Sequence, residues 1–454
     1  MKFIYLLFIA LTFTSCYKGI DDINEPTPPI EENNSYIFPD DFTSTLLESI
    51  NGKEVIISNP LYVIQTFNGS KLSGDVVLSS EIQRWFTDVN SASTTEYPKW
   101  TNKHLKDRVI VKSNYSLLDK DKTLRIGTKF SEVRGVISYG YDGYTLTLTQ
   151  TPKIEYNSRY SVPTVNEHNL KVMSFNLENY YMYGNLNDAK SKRHHAKVLS
   201  ALLQASADVY ALCEVGKGDF TIDYLCKAMN ESVGEDRYSE LHTKGDTDNY
   251  QQTCMFIYNK KSVTPHKDFK SYSFDNLYNR YAVQCFQLNS NGAKVIITMS
   301  HLKSKSGDNA YGDNVDKNDG QSQFNSRRVS EARECVETFN SLKTYYGDQD
   351  VLVLGDLNSY SMEDPIKVYT SAGYENQLKK YSPNGWSYSY KGEVGYIDHS
   401  LSSSTLSSQV VHATAWDINA SEPIAYRYDY ATYFSNDSFG SSDHNPIITW
   451  MNLK

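Results

Sequence analysis

This 454-residue chain has little positive charge to spare. Its 45 Lys and Arg stand against 54 Asp and Glu, a formal net charge of −9. That excludes a broad basic surface for nucleic acid, so any polyanionic substrate has to be met by a few local lysines and arginines or by a metal ion. Cysteine is scarce too. Of 6 cysteines, Cys16 stands apart near the start, and the other five (Cys213, Cys226, Cys254, Cys285 and Cys335) are odd in number and widely spaced. That gives neither a disulfide framework nor a zinc site, and the five read as buried apolar thiols. Long apolar runs are confined to Phe3–Phe13, too short to span a bilayer stably. With 39% hydrophobic and 22% charged residues the chain is neither disordered nor membrane-spanning in composition. What is abundant is tyrosine, 36 in all, which suits an outward-facing protein that contacts sugars, lipids or nucleobases.

The start of the chain reads as an address. Lys2 precedes the apolar run, which ends in Phe13-Thr14-Ser15-Cys16, small residues before a cysteine. The pattern fits a secretory signal and resembles a bacterial lipoprotein cleavage box, with Cys16 the lipidated residue. The next stretch, 17–35, is proline-rich, with Lys18 against five carboxylates and no apolar periodicity, as expected of a tether. We therefore expect an exported bacterial lipoprotein, a monomer, held by Cys16 to the outer membrane or cell surface.

Residues 36–161 read as short strands with turns, the last pair a hairpin around Asp142-Gly143. About five strands without strong helices predict a small all-β domain of the oligonucleotide-binding (OB-like) kind, more plausibly a docked spacer than a strand binder. The stretch 157–169 reads as the link to a second domain, 162–454, of α/β texture. There, Lys190–Gln204 carries Ala196, Leu199, Leu202 and Leu203 at helical spacing, and 321–343 carries Val329, Ala332, Val336, Phe339 and Leu342. Val351–Asn358, VLVLGDLN, is a strand buried on both faces, broken by Gly355 and followed by Asp356 and Asn358. On its own this end is as well explained by an Asx turn as by chemistry.

Strand ends spread along the sequence each deliver a polar side chain: Asn176, Glu214, His301, Asp356 with Asn358, and Asp443 with His444. Asp398 follows in Tyr396-Ile397-Asp398-His399. Open α/β sheets place their sites along such an edge. The oxygen-rich set suits a hard cation, Mg2+, Mn2+ or Ca2+, rather than zinc. A hard cation, histidines that exchange protons near neutral pH and amides aimed at an oxyanion suit in-line attack of water on phosphorus.

Six segments, FNLEN (175–179), CEV (213–215), SHLKSK (300–305), GDLN (355–358), YIDH (396–399) and SDHNP (442–446), resemble the endonuclease/exonuclease/phosphatase superfamily in its own order. The likeness is closest to secreted bacterial nucleases, which share HLKSK, a DGQ…N..R segment (Asp319-Gly320-Gln321, Asn325, Arg328), GDLNSY..EDPI (355–366) and WDINA (416–420). One departure is Gln251-Gln252-Thr253, where those nucleases carry an Asp-Ala pair. The resemblance implies a four-layer α/β (α+β) sandwich, two packed mixed sheets flanked by helices, and metal-dependent phosphodiester hydrolysis with DNA the expected substrate. It further implies that Glu214 is the principal metal ligand, with Asn176 and Asp443 supporting it. Asp356 would orient or deprotonate the attacking water and Asn358 hold the phosphate. His444, set in tautomer by Asp398, would pair with the phosphate or act as base, and His301 would be the acid. Lys303, Lys305, Arg280 and Arg328 are candidate phosphate contacts. The alternative on the same scaffold is a lipid or small-molecule phosphoesterase of the sphingomyelinase or inositol-phosphate phosphatase type. A non-catalytic binding protein would have lost Glu214, Asp356 or His444, and all three are present.

Overall fold

The computed structural model describes residues 34–66, 75–112, 123–140, 143–181, 188–216, 218–244, 252–274 and 280–454. The leader, Cys16, most of the tether, Asp142 and Gln251 lie outside the described residues.

Among the described residues, the C-terminal region is built on two six-stranded sheets. In the first, the order is Tyr238–Leu241, Gln252–Asn259, Val209–Gly216, Leu170–Tyr180, Ile447–Met451 and Val410–Ala415; in the second, Val263–Tyr272, Tyr281–Leu288, Lys294–His301, Val351–Asp356, Asp398–Ser402 and Glu375–Asn376. Each is mixed, with one central parallel pair: Leu170–Tyr180 with Val209–Gly216, and Lys294–His301 with Val351–Asp356. The near-continuous apolar runs of these strands have a cause. One face of each sheet packs on the other, through Val172, Val209, Ala211, Ile297, Met299, Leu352 and Leu354, and the opposite face is covered by helices. Ala189–Ala205 and Asp219–Val233 cover the first sheet, and Asn325–Tyr346 and Asp364–Ser371 the second. This is the expected four-layer sandwich.

One helix turns a different face inward than the spacing predicts, and a second widens the predicted face by burying charged residues beside it. The buried face of Ala189–Ala205 is His194, Lys197, Val198, Ala201, Leu202 and Ala205, because His194 stacks on Tyr428 with ring centroids 3.7 Å apart and Lys197 reaches Asp437 and the Phe439 carbonyl. The second begins at Asn325, after Phe324 takes a left-handed φ of 61°, and buries Arg328 and Glu331 alongside Ala332, Cys335, Phe339 and Leu342.

Among its described residues the N-terminal region has nine strands, more than predicted, in one sheet. Five positions of it form a closed circuit. Leu61–Thr66 pairs with Val76–Ser79, that with Val109–Lys112, that in parallel with Gly143–Leu148, and that with Val133–Gly140. Lys129–Ser131, separated from Val133–Gly140 only by Glu132 at φ 57°, returns to Leu61–Thr66 and closes the barrel. The expectation of no strong helix fails at Glu96–Lys106. Its start is legible after all, since Ser93 three residues before Glu96 is the capping spacing, and its hydroxyl accepts from the Glu96 amide at 3.1 Å. The five cysteines of the described residues are free and buried.

Candidate active site at the seam of the two sheets

In the second sheet, strand register sets His301 beside Asp356 and Asp356 beside Asp398. The parallel strands end at this edge and the antiparallel Asp398–Ser402 begins there, so two ends and one start point the same way. Asp443 and His444 likewise lead into a strand, Ile447–Met451, rather than ending one. In the first sheet Asn176 pairs with Cys213, and the ladder becomes irregular beyond them. Glu178, Asn179, Glu214 and Asn358 all hold left-handed φ values, of 52°, 54°, 56° and 46°. Each such residue costs about 1–3 kcal/mol, and irregular ladders of this kind re-aim side chains at sites. Gly355 does not break its strand. The ladder runs through it at φ 144°, and a Cβ there would lie 1.9 Å from the Ser300 carbonyl oxygen. Only glycine lets the two strands close here and bring Asp356 level with His301.

The convergence is direct. The Asn176 amide donates to Glu214 at 3.2 Å and to Asp356 at 3.1 Å, tying the two sheets together. Glu214 also accepts from the Asn179 backbone at 2.8 Å. His301 Nε2 lies 3.6 Å from both Glu214 and Asp356. Asp356 accepts from the Asn358 backbone at 2.9 Å, the Asx turn of the bland reading, while the Asn358 side chain bridges to the Leu302 carbonyl at 3.0 Å. The turn and the chemistry coexist. Asp398 holds His444 Nδ1 at 2.8 Å, which leaves Nε2 3.9 Å from Asp356 and 3.8 Å from Asp443.

Burial pushes the carboxyls of Glu214 and Asp356 up, and Asp443 adds to the rise at Glu214. The two histidines part company. Burial, helped by Arg280, pushes His301 down to about 3, so it is neutral, and its Nδ1 has no hydrogen-bond partner. Burial acts the same way on His444, but Asp398, Asp443 and Asp356 outweigh it and hold the imidazole charged, well above the usual histidine range. The resemblance assigns the acid role to His301; the environment makes His444 the protonated member. Carboxylates thus outnumber cations at the seam. Glu214, His301 and Asp356 each offer a donor atom within 4.8 Å of the others, as do Asp356, Asp398 and His444. This crowded, mostly oxygen donor set fits a hard divalent cation held by Glu214 with Asp356, Asn176 and Asp443 nearby.

The four expected phosphate contacts divide. Lys303 is half-buried over the Phe324 ring at 4.3 Å, its ammonium donating to the Ser306 carbonyl at 3.0 Å. The other three are held by partners within the protein. Arg328 is fully buried and donates to the carbonyls of Gln321 and Gln323, both at 2.7 Å. Lys305 is locked to both oxygens of buried Glu363 at 2.6 Å. Arg280 donates to the His301 carbonyl at 2.7 Å and to Glu331 at 3.0 Å, so it fixes the strand that carries His301. Two groups the sequence reading passed over stand at the mouth. Arg427 pairs with Glu178, two residues past Asn176, and feels the charge of Asp443. The Tyr388 ring lies 4.7 Å from that of His444. Glu178 lies within FNLEN and was open to notice; Arg427 and Tyr388 carry no local signal. Gln252, at the departure from the nuclease pattern, donates to Asn179 Oδ1 at 2.8 Å, on the residue whose backbone amide holds Glu214.

Several solved structures are similar over the catalytic half. They include a Bacteroides thetaiotaomicron mannosyl-6-phosphatase (15% identity, TM-score 0.45, covering 63% of this chain and 100% of that one). Others are the human Nocturnin catalytic domain with bound sulfate (12%, 0.43, 64% and 97%) and D. rerio TDP2 complexed with single strand DNA product (16%, 0.41, 63% and 99%). No curated protein matches this chain. The profile of a domain of unknown function (DUF8508) matches residues 19–157, and that of the Endonuclease/Exonuclease/phosphatase family matches residues 173–444. With Asn176, Glu214, His301, Asp356, Asp398 and His444 gathered at one seam, this chain belongs to the endonuclease/exonuclease/phosphatase family, whose members are hydrolytic phosphoesterases.

Proposed function

We propose that the protein is a metal-dependent phosphodiesterase that cleaves DNA outside the cytoplasm, anchored through a lipid on Cys16. The observation that carries the reading is the pairing of a charged His444, fixed by Asp398, with a buried Asp356 on one side of the same small space and Glu214 on the other. Asp356, its Oδ1 fixed by the Asn358 amide, holds the attacking water by its remaining lone pairs and accepts its proton. His444 presents Nε2–H to a non-bridging phosphate oxygen, where charge grows as the water adds. Neutral His301 and the Asn176 amide keep Glu214 and Asp356 apart and oriented. A divalent cation, held chiefly by Glu214, supplies charge neutralisation at the phosphate. Lys303 is the candidate contact to a flanking phosphate.

The test uses the chain from Tyr17 onward with Mg2+ or Mn2+ on supercoiled plasmid, linear duplex and single-stranded DNA. Nicking or shortening is expected, and it should vanish with a chelator and in Asp356→Ala. Intact DNA in every lane rejects the nuclease reading, and turnover of sphingomyelin or inositol phosphates by the same sample would replace it.

A further inference from the structure

The N-terminal barrel does not hang free of the catalytic half. Its segment 83–88 is laid against the stretch 384–398, which carries Asp398 and Tyr388. The Trp85 amide donates to the Val394 carbonyl at 3.0 Å, and the Val394 amide donates back to the Gln83 carbonyl at 2.9 Å, a one-residue parallel bridge across the domain boundary. Arg84 donates to the carbonyls of Asn384 at 3.0 Å and Gly385 at 2.9 Å, and its Nε to Asp88 at 2.9 Å. Asp88 is buried and accepts from the Tyr396 amide at 3.1 Å and from the Ser361 hydroxyl at 3.0 Å. A second clamp closes on the same strand, where His104 Nδ1 meets Glu393 at 2.5 Å and Arg108 lies 3.7 Å from it.

The far side of the clamped stretch is the catalytic pair. Ser387 Oγ accepts from the amides of Ile397 at 3.1 Å and Asp398 at 3.0 Å, and its carbonyl accepts from the Asn445 amide at 2.7 Å. The next residue, Tyr388, packs its ring against His444, tilted at 36°. From Asp88 to Asp398 is thus one hydrogen bond and two residues, and Asp398 holds His444. Without the barrel, the Tyr396 and Val394 amides and the Gly385 carbonyl would lose these partners, in a stretch that otherwise forms a two-strand hairpin, Tyr388–Tyr390 with Glu393–Gly395. Such a hairpin is marginal alone.

We propose that the N-terminal barrel completes the active site: Arg84 and Asp88 are positioning residues that hold the 384–398 stretch, and through it Asp398 and His444, in register for hydrolysis. This rests on the phosphodiesterase reading, but its test separates from it. In the full-length exported chain, with bis(p-nitrophenyl) phosphate as substrate and Mg2+ or Mn2+ present, Arg84→Ala and Asp88→Ala should each lower kcat about tenfold or more while KM moves less than about twofold, since a misplacement of order 1 Å is costly in rate. Asp88→Asn, which keeps an acceptor for the Tyr396 amide, should recover most of the loss. Val63→Ala, a truncation whose side chain lies inside the barrel core, should cost stability and leave kcat as it was. In hydrogen exchange, the amides of Tyr396, Ile397 and Asp398 should lose protection in Asp88→Ala and keep it in Val63→Ala. Kinetics in Arg84→Ala and Asp88→Ala no worse than in Val63→Ala would overturn the proposal. Should either alanine variant not fold, Arg84→Gln, which takes the guanidinium away from the Asn384 and Gly385 carbonyls, decides by the same kcat and exchange readouts, and unchanged values in it overturn the proposal. A wild-type chain inert on the diester would sink the activity reading alone, and the exchange arm would still judge the positioning.

Discussion

The division of labour between two histidines comes from what surrounds each ring. His444 has three carboxylates around it and is charged; His301 has Arg280 nearby, an unpartnered Nδ1, and is neutral. Replacing His444 with Ala should therefore remove both a charge and a donor, and we expect kcat to fall by about 10²–10⁴ with a smaller change in KM, measured on a diester substrate. The cations near the site make a sharper contrast. Lys303→Ala should raise KM for polynucleotide with kcat kept, as loss of one phosphate contact does. Arg328→Ala should instead lower stability by about 3 kcal/mol in urea unfolding, because its guanidinium is buried on two carbonyls beside Glu363. Arg328 shows why residue type and motif position mislead. It lies in the nuclease-like segment, yet it sits on the buried face of its helix, and sequence spacing had turned that face toward Val329 and Val336.

Elements show the limit of pattern and its strength. The central strands were legible because a strand covered on both faces has to be apolar throughout, and the site edge was legible because polar residues at such strand ends need a use. The bends that aim them were not. Nothing local announces that Glu214 or Asn358 will hold a left-handed backbone, or that Gly355 continues its strand instead of ending it. Gly355→Ala tests the latter, since a methyl against the Ser300 carbonyl at φ 144° should cost about 3 kcal/mol in urea unfolding and lower activity with it. The helix Ala189–Ala205 carries the clearest pH prediction. Burial pushes His194 down to about 3 and His195 down to about 4. Between those values and the unfolded value near 6.5 the unfolded chain binds the protons and the folded one does not. Their contribution is thus fully present above pH 6.5 and lost as pH falls toward 3. Thermal unfolding should show a midpoint dropping below pH 6.5, with a shallower drop in His195→Gln. A midpoint flat from pH 7 to 4.5 would contradict this.

At the scale of the molecule, the barrel and the sandwich were both legible from texture, short strands with turns and then alternating strands and helices. Their junction was not, because it is made of pairs far apart in sequence. Arg125 with Asp417 and Glu422, and Arg159 with Glu422 and Asp437, fasten what reads as a plain linker. The proposed anchor is tested at this scale too. Cys16→Ser should abolish labelling with radioactive palmitate and move the protein from the membrane to the soluble fraction, whereas label retained in the variant would reject lipidation at that residue. The strand order of the first sheet carries one more consequence. Ile447–Met451 is an interior strand there, wedged between Leu170–Tyr180 and Val410–Ala415, and His444 arrives with it. A chain emerging from a ribosome or threading through a membrane pore can make most of its strands and still own no assembled catalytic centre. A fold of this build carries its own delay: its centre cannot assemble until residues past 447 have been made and paired into the sheet.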